Sequence, residues 1–413
     1  MFSKRLITVA AVCTVLSLVT GCAAPATQAP TSAPASPEVI TVEKTVVVQA
    51  TAEAVKDPVR IGAAFSFSGP MSFIGDGSNS GTTLALEELG GVVAGHPVEI
   101  YNADNACNPE QAISAVRSLV EVNKVDLILG SGCSSSTLAA MTLLPELSVP
   151  QIVSVSSSPK IYDDSGVGGN EWNFVHAVGA IILGDVLSGY VAERVESVAI
   201  LANNDDFGRG SVSILEPSLK SKGVEVTNIE YYDIGVADAR PILLKVKQAN
   251  PEGFLLVAGE TDAIVILRQF RELGLTQTLF GQGTIATPLF LERTKDEPGL
   301  GEGLLNIAWW APGMDPQFDA AYEARWAEAP YPNSAMMYYV MRYIVKAAIE
   351  EADKTGKVDG QSLRDALTKI SVDTPMGTLS FDEHNQAYPD IAIVTMEQGK
   401  IILKDVIHTN PNQ

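Results

Sequence analysis

Short apolar runs alternate with segments of helical periodicity throughout the body of the chain, and this alternation occurs in two series. Repeated units of this kind predict mostly parallel sheets with right-handed crossover helices. The first series predicts strands at 59–65, 98–103, 125–130 and 151–155, with helices at 81–89, 108–122 and 134–144 between them. The second predicts helices at 182–194, 209–222, 238–248 and 262–273, with strands at 198–202, 224–232, 254–258 and 278–280. The sequence therefore predicts an α/β fold of two doubly wound, three-layer lobes.

The C-terminal part departs from this alternation. A strand at 304–309 precedes three helical stretches at 316–327, 334–353 and 361–370. A β-rich segment at 376–408 follows, with a hairpin turn expected at Gln398 and Gly399. Strands of this segment can join either lobe, so the pattern leaves open where the chain crosses between the lobes.

The N-terminus has the pattern of a bacterial secretory signal. Two basic residues precede an apolar stretch, residues 6–19, which is shorter than the roughly 20 residues that a membrane-spanning helix needs. Residues 18–22, Leu-Val-Thr-Gly-Cys, resemble the lipobox, in which the cysteine is lipidated. We therefore expect a signal peptide at 1–21 and a lipidated Cys22, with ordinary signal cleavage near Ala23 as the alternative.

A tether is expected between this anchor and the globular body. Ala, Pro, Thr, Ser and Gln make up almost all of residues 23–37, a composition that buries no core and stays extended. We assign residues 22–56 to the lipidated cysteine and its tether. The protein is then expected to be extracytoplasmic and to touch the cell membrane only through its lipid anchor.

Charge and cysteine content narrow the possible partners. The 413-residue chain carries a net charge of −21, which disfavours nucleic-acid binding because a polyanion is repelled. Once the signal peptide and Cys22 are set aside, Cys107 and Cys133 remain. In an exported protein such a pair is expected to form a disulfide, which contributes about 3 kcal/mol for a loop of this length. Two buried free thiols are the alternative.

Turns rich in hydroxyl groups follow three predicted strands of the first series. They are residues 66–70, residues 130–137 and the three serines at 156–158. Ligands of doubly wound sheets bind beyond the carboxyl ends of the strands, so we interpret these turns as one site. Ser134 begins a predicted helix, where free N–H groups and the helix dipole favour an anion such as a carboxylate. The alternative is that the serines serve only as N-caps and turn residues.

Catalytic and cofactor patterns are weak. Ser134, the candidate nucleophile of a hydrolase, lacks the G-x-S-x-G context, and none of the four histidines has metal-ligand spacing. Residues 281–286 match G-x-G-x-x-A, but no long helix follows as a dinucleotide fold requires. A phosphate-binding G-x-x-x-x-G-K-[ST] motif is missing from the sequence, so the chain does not itself drive transport. We predict a binding protein without catalytic residues, metal or cofactor.

Several of these turns match those of a known family. The matching motifs are residues 67–70 with Gly75 and Asp76, Asp104 with 107–112, residues 132–137, residues 207–210, and residues 267–269 with 273–275. With these motifs, in this order, the chain resembles the leucine/isoleucine/valine-type binding proteins of ABC importers. The resemblance implies a type I periplasmic-binding-protein fold, whose two lobes are joined by three crossings and close on the ligand. It implies lobe 1 at 57–177 plus about 306–378, and lobe 2 at 178–305 plus about 379–413.

The resemblance also implies which residues bind the carboxylate. Ser134, after the second cysteine, stands where the family holds the ligand's α-carboxylate. Ser157 or Ser158 stands where a further hydroxyl is expected, and Ser156 is expected to contribute a backbone carbonyl.

The rest of the family's site is only partly present. Ile74 replaces an aromatic residue, Phe207 keeps one, and a tyrosine position falls at Glu260 or the residue before it. The two carboxylates that bind the ammonium group in the family align with Gly283 and Ile181. A buried ammonium without a carboxylate is costly. Either Glu260 or another acid replaces them, or the ligand has no free amino group.

The resemblance implies a monomer that delivers a small amino acid or related carboxylate to ABC permease and ATPase subunits. The alternative is a sensory protein that binds an amide, urea or aromatic acid and signals through a separate partner.

Overall fold

The structure is a computed structural model that describes residues 56–410. The expected signal peptide, Cys22 and nearly all of the tether lie outside the described residues. Within the described range, the chain forms one six-stranded and one seven-stranded sheet, both mostly parallel and packed against helices, and one small two-stranded antiparallel sheet. The predicted α/β fold with two parallel-sheet lobes is confirmed.

The first lobe is built on the six-stranded sheet. Its elements are β1 (Val59–Phe65), α1 (Ser72–Glu88), β2 (Val92–Val93), β3 (His96–Asp104), α2 (Pro109–Glu121), β4 (Leu127–Gly130), α3 (Ser134–Met141), α4 (Leu144–Leu147), β5 (Gln151–Val153), α5 (Pro159–Asp163) and β6 (Asn173–Val175). The strand order is β2-β3-β1-β4-β5-β6, and β2 alone among these strands pairs antiparallel. All four residues of β4 are buried, as expected for a central strand covered on both faces.

The second lobe is built on the seven-stranded sheet. Its first elements are α6 (Ala180–Ala192), β7 (Ser197–Asn203), α7 (Asp206–Ser221), β8 (Glu225–Tyr232), α8 (Arg240–Ala249), β9 (Gly253–Ala258), α9 (Glu260–Glu272), β10 (Thr278–Gly283), α10 (Pro288–Arg293) and β11 (Leu305–Ala308). The strands β7 to β11 pair in parallel, so the carboxyl ends of β7, β9 and β10 meet at one edge.

The remaining part of the chain contributes helices and strands to both lobes. It comprises α11 (Pro316–Trp326), α12 (Pro332–Tyr339), α13 (Lys346–Asp353), α14 (Gly360–Leu367), β12 (Ser371–Thr374), β13 (Gly377–Ser380), β14 (Ile391–Glu397) and β15 (Lys400–Ile407). The helix α12 packs against α1 of the first lobe, at a distance that only glycine allows: a Cβ on Gly81 would lie 1.9 Å from the Ser334 carbonyl oxygen. The strands β14 and β15 complete the second sheet, whose order is β15-β14-β11-β10-β9-β7-β8.

Three segments connect the lobes. The chain leaves the first sheet after β6, returns to the first lobe after β11, and crosses again between β13 and β14. Residues around 306 lie in β11 of the second sheet, so the second crossing follows Ala308. The first and third crossings lie side by side, because the Val175 N–H donates to the Asn385 carbonyl at 2.8 Å. The second crossing lies beside the first, because the indole N–H of Trp309 donates to the Val178 carbonyl at 3.4 Å.

Local sequence signals place several element boundaries correctly. The Asn108 side chain accepts a hydrogen bond from the Gln111 N–H at 3.0 Å and so caps α2, at the residue where the predicted helix begins. The predicted hairpin turn is also confirmed, with positive φ angles of 51° at Gln398 and 70° at Gly399. The predicted disulfide joins Cys107 to Cys133 and fixes the loop before α2 to the start of α3.

Other boundaries differ from the prediction. The helix α1 begins at Ser72 rather than at 81, because glycines that are typical of a turn lie in a helix packed closely on its neighbours. A Cβ on Gly77, for example, would lie 2.4 Å from the Tyr331 ring. The predicted helix at 334–353 contains a π-helical segment, Val340–Val345, between α12 and α13. The short strands β6 and β12 were not predicted, since three or four residues carry too little periodicity.

Candidate functional site

The start of α3 leaves hydrogen-bond donors free. The first intrahelical bond runs from the Thr137 N–H to the Cys133 carbonyl, so the N–H groups of the preceding turn have no helical acceptor. Cys133 is the N-cap residue and makes no side-chain capping bond. The Ser134 hydroxyl oxygen accepts from the Ser158 N–H at 3.3 Å, which leaves the hydroxyl hydrogen of Ser134 able to donate elsewhere. This corner therefore offers a hydroxyl, backbone N–H groups and the positive end of a helix dipole to an anion.

The serines at 156–158 are buried beside this corner but do not line the cavity of the cleft. The hydroxyls of Ser156 and Thr137 are hydrogen-bonded at 2.9 Å. Among the described residues, the buried Ser157 hydroxyl has no partner. Ser158 contributes its backbone N–H to Ser134. Of the three serines, Ser158 is thus the one that is hydrogen-bonded to Ser134.

The cavity lies between the carboxyl ends of the strands of both sheets. Its lining residues are Met71, Ile74, Gly132, Cys133, Ser134, Val155, Asn203, Asp205, Phe207, Ala258, Gly259, Gly283, Thr284, Trp309 and Asn333. The cavity has a volume of about 40 Å³, which is room for a few water molecules. Of the residues singled out from the sequence, Ser134, Ile74, Phe207 and Gly283 come together here. Apolar side chains form most of the wall.

Gly283 lines the cavity in a conformation that excludes a side chain. Its φ is +114°, and a Cβ there would lie 2.3 Å from the Ala258 carbonyl oxygen. At this position, where the resemblance implied a carboxylate, the chain therefore contributes only backbone. Ile181, the other position that the resemblance matched to a carboxylate, is 55% exposed and lies outside the cavity lining.

Glu260 faces other protein groups instead of the cavity. It is buried in the first turn of α9, where its carboxylate accepts from the Thr287 hydroxyl at 2.6 Å and lies 3.0 Å from the Arg293 guanidinium. Burial raises the pKa of Glu260 from 4.5 to about 7, while Thr287 and Arg293 lower it. The geometry to Arg293 is that of an ion pair and not of an aligned hydrogen bond. Glu260 is not among the residues that line the cavity.

Asp205 is an acid of the cavity wall that the sequence analysis missed. It follows β7 and is the N-cap of α7, where its side chain accepts from the Gly208 N–H at 2.8 Å. Burial raises its pKa, and hydrogen bonds from nearby backbone N–H groups lower it. The signal was available, because Asp205 follows a strand of the second series just as the hydroxyl-rich turns follow strands of the first.

Asn333 is a second missed residue, and no local pattern points to it. It lies in the first turn of α12, far along the chain from the two β/α series. Its side chain lines the cavity and is 1% exposed, yet neither Oδ1 nor Nδ2 has a hydrogen-bond partner among the described residues. Only the packing of α12 against α1 brings it to the cleft.

The two lobes contact each other around the cavity. The Thr261 hydroxyl donates to the Pro70 carbonyl at 3.2 Å, and Lys160 lies 3.0 Å from the Asp206 carboxylate. The Asp206 N–H also donates to the Ser135 hydroxyl at 3.4 Å. Each of these contacts joins a residue of the first lobe to one of the second, so the cleft is closed in this structure.

A closed cleft between two doubly wound lobes joined by three crossings defines a two-lobed binding protein. The chain belongs to the periplasmic binding protein family, whose family model matches residues 58–400. Proteins of this family are extracytoplasmic binding proteins of transport systems and not enzymes, in agreement with the prediction. The resemblance to the branched-chain amino-acid type is confirmed, and the chain is a type I periplasmic binding protein.

Three similar proteins illustrate this relationship. A leucine-, isoleucine-, valine-, threonine- and alanine-binding protein of Pseudomonas aeruginosa is 25% identical over 334 residues, which cover 79% of this chain and 86% of that protein. An ABC transporter substrate-binding protein from Sphaerobacter thermophilus is 25% identical, with a TM-score of 0.73 and coverage of 85% and 98%. A solute-binding protein from Rhodopseudomonas palustris BisB5, in complex with 3,4-dihydroxybenzoic acid, shares the fold with a TM-score of 0.77 at 21% identity and coverage of 86% and 99%.

Two features are absent from residues 56–410. No helix in this range has the length and apolar character needed to cross a membrane. In the same range, no group of three or more His, Cys, Asp or Glu side chains is arranged to hold a metal ion.

Proposed function

We propose that this chain is a lipoprotein, anchored through Cys22, that binds a small carboxylate-bearing solute between its lobes and delivers it to the permease and ATPase subunits of an ABC importer. The solute is an amino acid or a related acid. Lobe 1 comprises residues 57–177 with the C-terminal helices, and lobe 2 comprises the second sheet with its helices. The names of the relatives support the transport role, and the cavity supports the ligand class.

The observation that carries the ligand class is the position of Ser134 on the cavity wall. Its hydroxyl hydrogen is free to donate, and it begins a helix whose first N–H groups have no helical acceptor. Hydrogen bonds from such donors to a charged acceptor contribute about 1.5–3 kcal/mol each. A carboxylate bound here needs no cationic side chain, and neither lysine nor arginine is among the described residues that line the cavity.

The charge of the cavity supports a ligand that also carries an amino group. Asp205 is the one acid among the lining residues that the structure describes. A ligand with a carboxylate alone would add a second negative charge beside it, which costs free energy in a partly buried site. A zwitterion places its ammonium group against Asp205 and its carboxylate against Ser134. In this arrangement Asp205 binds the ammonium group. Glu260 does not, because its carboxylate is turned to Arg293.

A ligand screen by thermal unfolding tests the proposal. The panel contains amino acids, short and aromatic carboxylic acids, amides and urea. A ligand at a hundredfold excess over its dissociation constant stabilises the folded protein by about 2.7 kcal/mol, which gives a clear shift of the unfolding midpoint. We expect the largest shifts with zwitterionic carboxylates. Shifts with amides or urea and none with any carboxylate would contradict the assignment.

The anchor is tested separately by expressing the full chain in a bacterium that processes lipoproteins. We expect the wild-type protein in the membrane fraction and the Cys22→Ser variant in the soluble extracytoplasmic fraction. Mass spectrometry of the wild-type N-terminus should find acyl chains on Cys22. An unmodified N-terminus beginning near Ala23 would support ordinary signal cleavage instead.

A further inference from the structure

We infer that Asn333 forms a second polar subsite in the cleft, which selects a ligand carrying an uncharged hydrogen-bonding group, such as an amide or a hydroxyl, in addition to its carboxylate. The inference rests on the proposed function, because it assumes that Ser134 and the start of α3 receive the carboxylate. It concerns the part of the ligand that the carboxylate site does not contact.

The unpaired amide of Asn333 is the primary observation. The side chain is 1% exposed and lines the cavity, and both Oδ1 and Nδ2 lack a hydrogen-bond partner within residues 56–410. Buried polar groups without partners are rare and destabilising in folded proteins. A ligand group that reaches this amide removes the penalty, because a carboxamide both donates and accepts hydrogen bonds.

The start of α12 is held in place, so Asn333 is presented in a fixed position. The Tyr331 hydroxyl donates to the Phe73 carbonyl at 3.0 Å, and the Ser334 hydroxyl donates to the Tyr322 hydroxyl at 3.2 Å. The backbone at Ser334 also lies against Gly81 of α1. Residues on both sides of Asn333 are thus bound to the first lobe, which limits how far its amide can turn away from the cavity.

The surroundings of Asn333 favour an uncharged group. The rest of the wall is largely apolar, with Ile74, Val155 and Trp309 among its members. A hydrocarbon side chain of the ligand would pack against such a wall but would leave the Asn333 amide without a hydrogen-bond partner. A second carboxylate would be desolvated without a cation, since the described part of the wall has neither lysine nor arginine. An amide or hydroxyl forms hydrogen bonds with the Asn333 side chain and buries no charge.

Two matched ligand pairs test the inference by titration calorimetry on the wild-type protein. L-asparagine and L-leucine have nearly the same shape and differ in an amide against a hydrocarbon end. Benzoate and 4-hydroxybenzoate differ in one hydroxyl. In at least one pair, we expect the polar ligand to bind at least tenfold more tightly than the apolar ligand. In neither pair should the apolar ligand bind more tightly.

Substitutions at Asn333 complete the test. In Asn333→Leu the preference for the polar ligand should fall below threefold, while the thermal midpoint without ligand should rise because two unpaired buried atoms are removed. Asn333→Ala is the second variant in case leucine prevents folding, and it should lose the preference as well. Thr82→Val is the control, because the Thr82 hydroxyl is buried without a partner among the described residues and lies in α1, outside the cavity lining. It should leave the preference unchanged.

The inference would be overturned by tighter binding of L-leucine or benzoate than of its polar counterpart, or by an unchanged preference in both Asn333 variants. Binding of none of the four probes would also overturn it. Failure of the proposed function would give a different binding result. In that case no carboxylate in the wider panel binds, whereas failure of the inference alone leaves carboxylate binding intact with an apolar preference.

Discussion

The Thr261 hydroxyl donates a hydrogen bond to the Pro70 carbonyl oxygen across the cleft, with 3.2 Å between the two oxygen atoms. Pro70 follows β1 in the first lobe, and Thr261 lies in the first turn of α9 in the second. The bond exists only when the lobes are closed. It therefore contributes to the equilibrium between open and closed cleft, and through it to ligand affinity.

Removing this hydroxyl should favour the open cleft. Because the bond is exposed, we expect it to contribute about 0.5–1 kcal/mol, so Thr261→Val should weaken ligand binding about two- to fivefold. Small-angle scattering should show a larger radius of gyration for the ligand-free variant than for the ligand-bound wild type. Thr261→Ser keeps the hydroxyl and should behave as wild type. A scattering curve that ligand leaves unchanged in both proteins would contradict closure by a hinge.

Ser134 should account for much of the affinity for the carboxylate. We expect Ser134→Ala to weaken binding of the best carboxylate from the screen by tenfold or more, since a hydrogen bond to a charged group contributes about 1.5–3 kcal/mol. Titration calorimetry measures the change. Ser136→Ala is the matched control, because Ser136 lies in the same turn, buried and without a partner in the described range, but outside the cavity lining. Equal affinities for the two variants would refute the role of Ser134.

Gly283 should tolerate no side chain. Its φ of +114° opposes substitution, and so does the Ala258 carbonyl oxygen, which would lie 2.3 Å from an added Cβ. We expect Gly283→Ala to lower the free energy of unfolding by about 2–3 kcal/mol. Gly274→Ala, with φ +66° and no described atom within 4 Å of its Cβ, should cost only about 1 kcal/mol. Urea unfolding measures both variants, and similar losses would show that the backbone at Gly283 adjusts freely.

Glu260 should make stability fall with rising pH. Its pKa is raised from 4.5 to about 7, so the folded state holds this proton more tightly than the unfolded state does. Its favourable contribution is complete below pH 4.5 and is lost as the pH rises through about 7, by up to about 3 kcal/mol. Asp262, with a pKa raised to about 6 by burial, acts in the same direction. Glu260→Gln should therefore gain stability relative to wild type between pH 5 and 8, measured by urea unfolding.

The control for this pH dependence is Glu297→Gln. Arg268 holds the pKa of Glu297 below its usual range, so Glu297 stays ionised throughout pH 5–8. The stability difference between this variant and wild type should be constant over that range. If Glu260→Gln also differs from wild type by a constant amount, then Glu260 does not titrate in this window.

The local features of the chain were predictable. Two βα series, the start of α2 near Asn108 and the hairpin at Gln398 and Gly399 follow from periodicity and turn chemistry within a few residues. The disulfide was predictable because only Cys107 and Cys133 remain after the signal peptide and its lipobox cysteine are set aside. Ser134 at a cavity between the lobes followed from the rule that ligands bind beyond the strand ends.

The choice of acid at the cavity was not predictable in this way. Glu260 and Asp205 both follow strands of the second sheet, and the sequence shows no difference that would send one to the cleft. Glu260 turns away because Thr287 and Arg293, which follow β10, offer its buried carboxylate a hydrogen bond and an ion pair. These partners are distant in sequence, so only the packed structure shows that Asp205 is the acid left at the cavity.

The sequence by itself determined the fold class, the disulfide and the serine that faces the cleft, because each depends on a short pattern or on a count. Only the tertiary structure decided which other groups line the cavity with Ser134. Asn333 reaches the cavity because glycines of α1 let α12 approach closely, and Gly283 lines the cavity with backbone that lies against the Ala258 carbonyl. Periodicity along one segment carries no information about such contacts, since they depend on how separate segments pack.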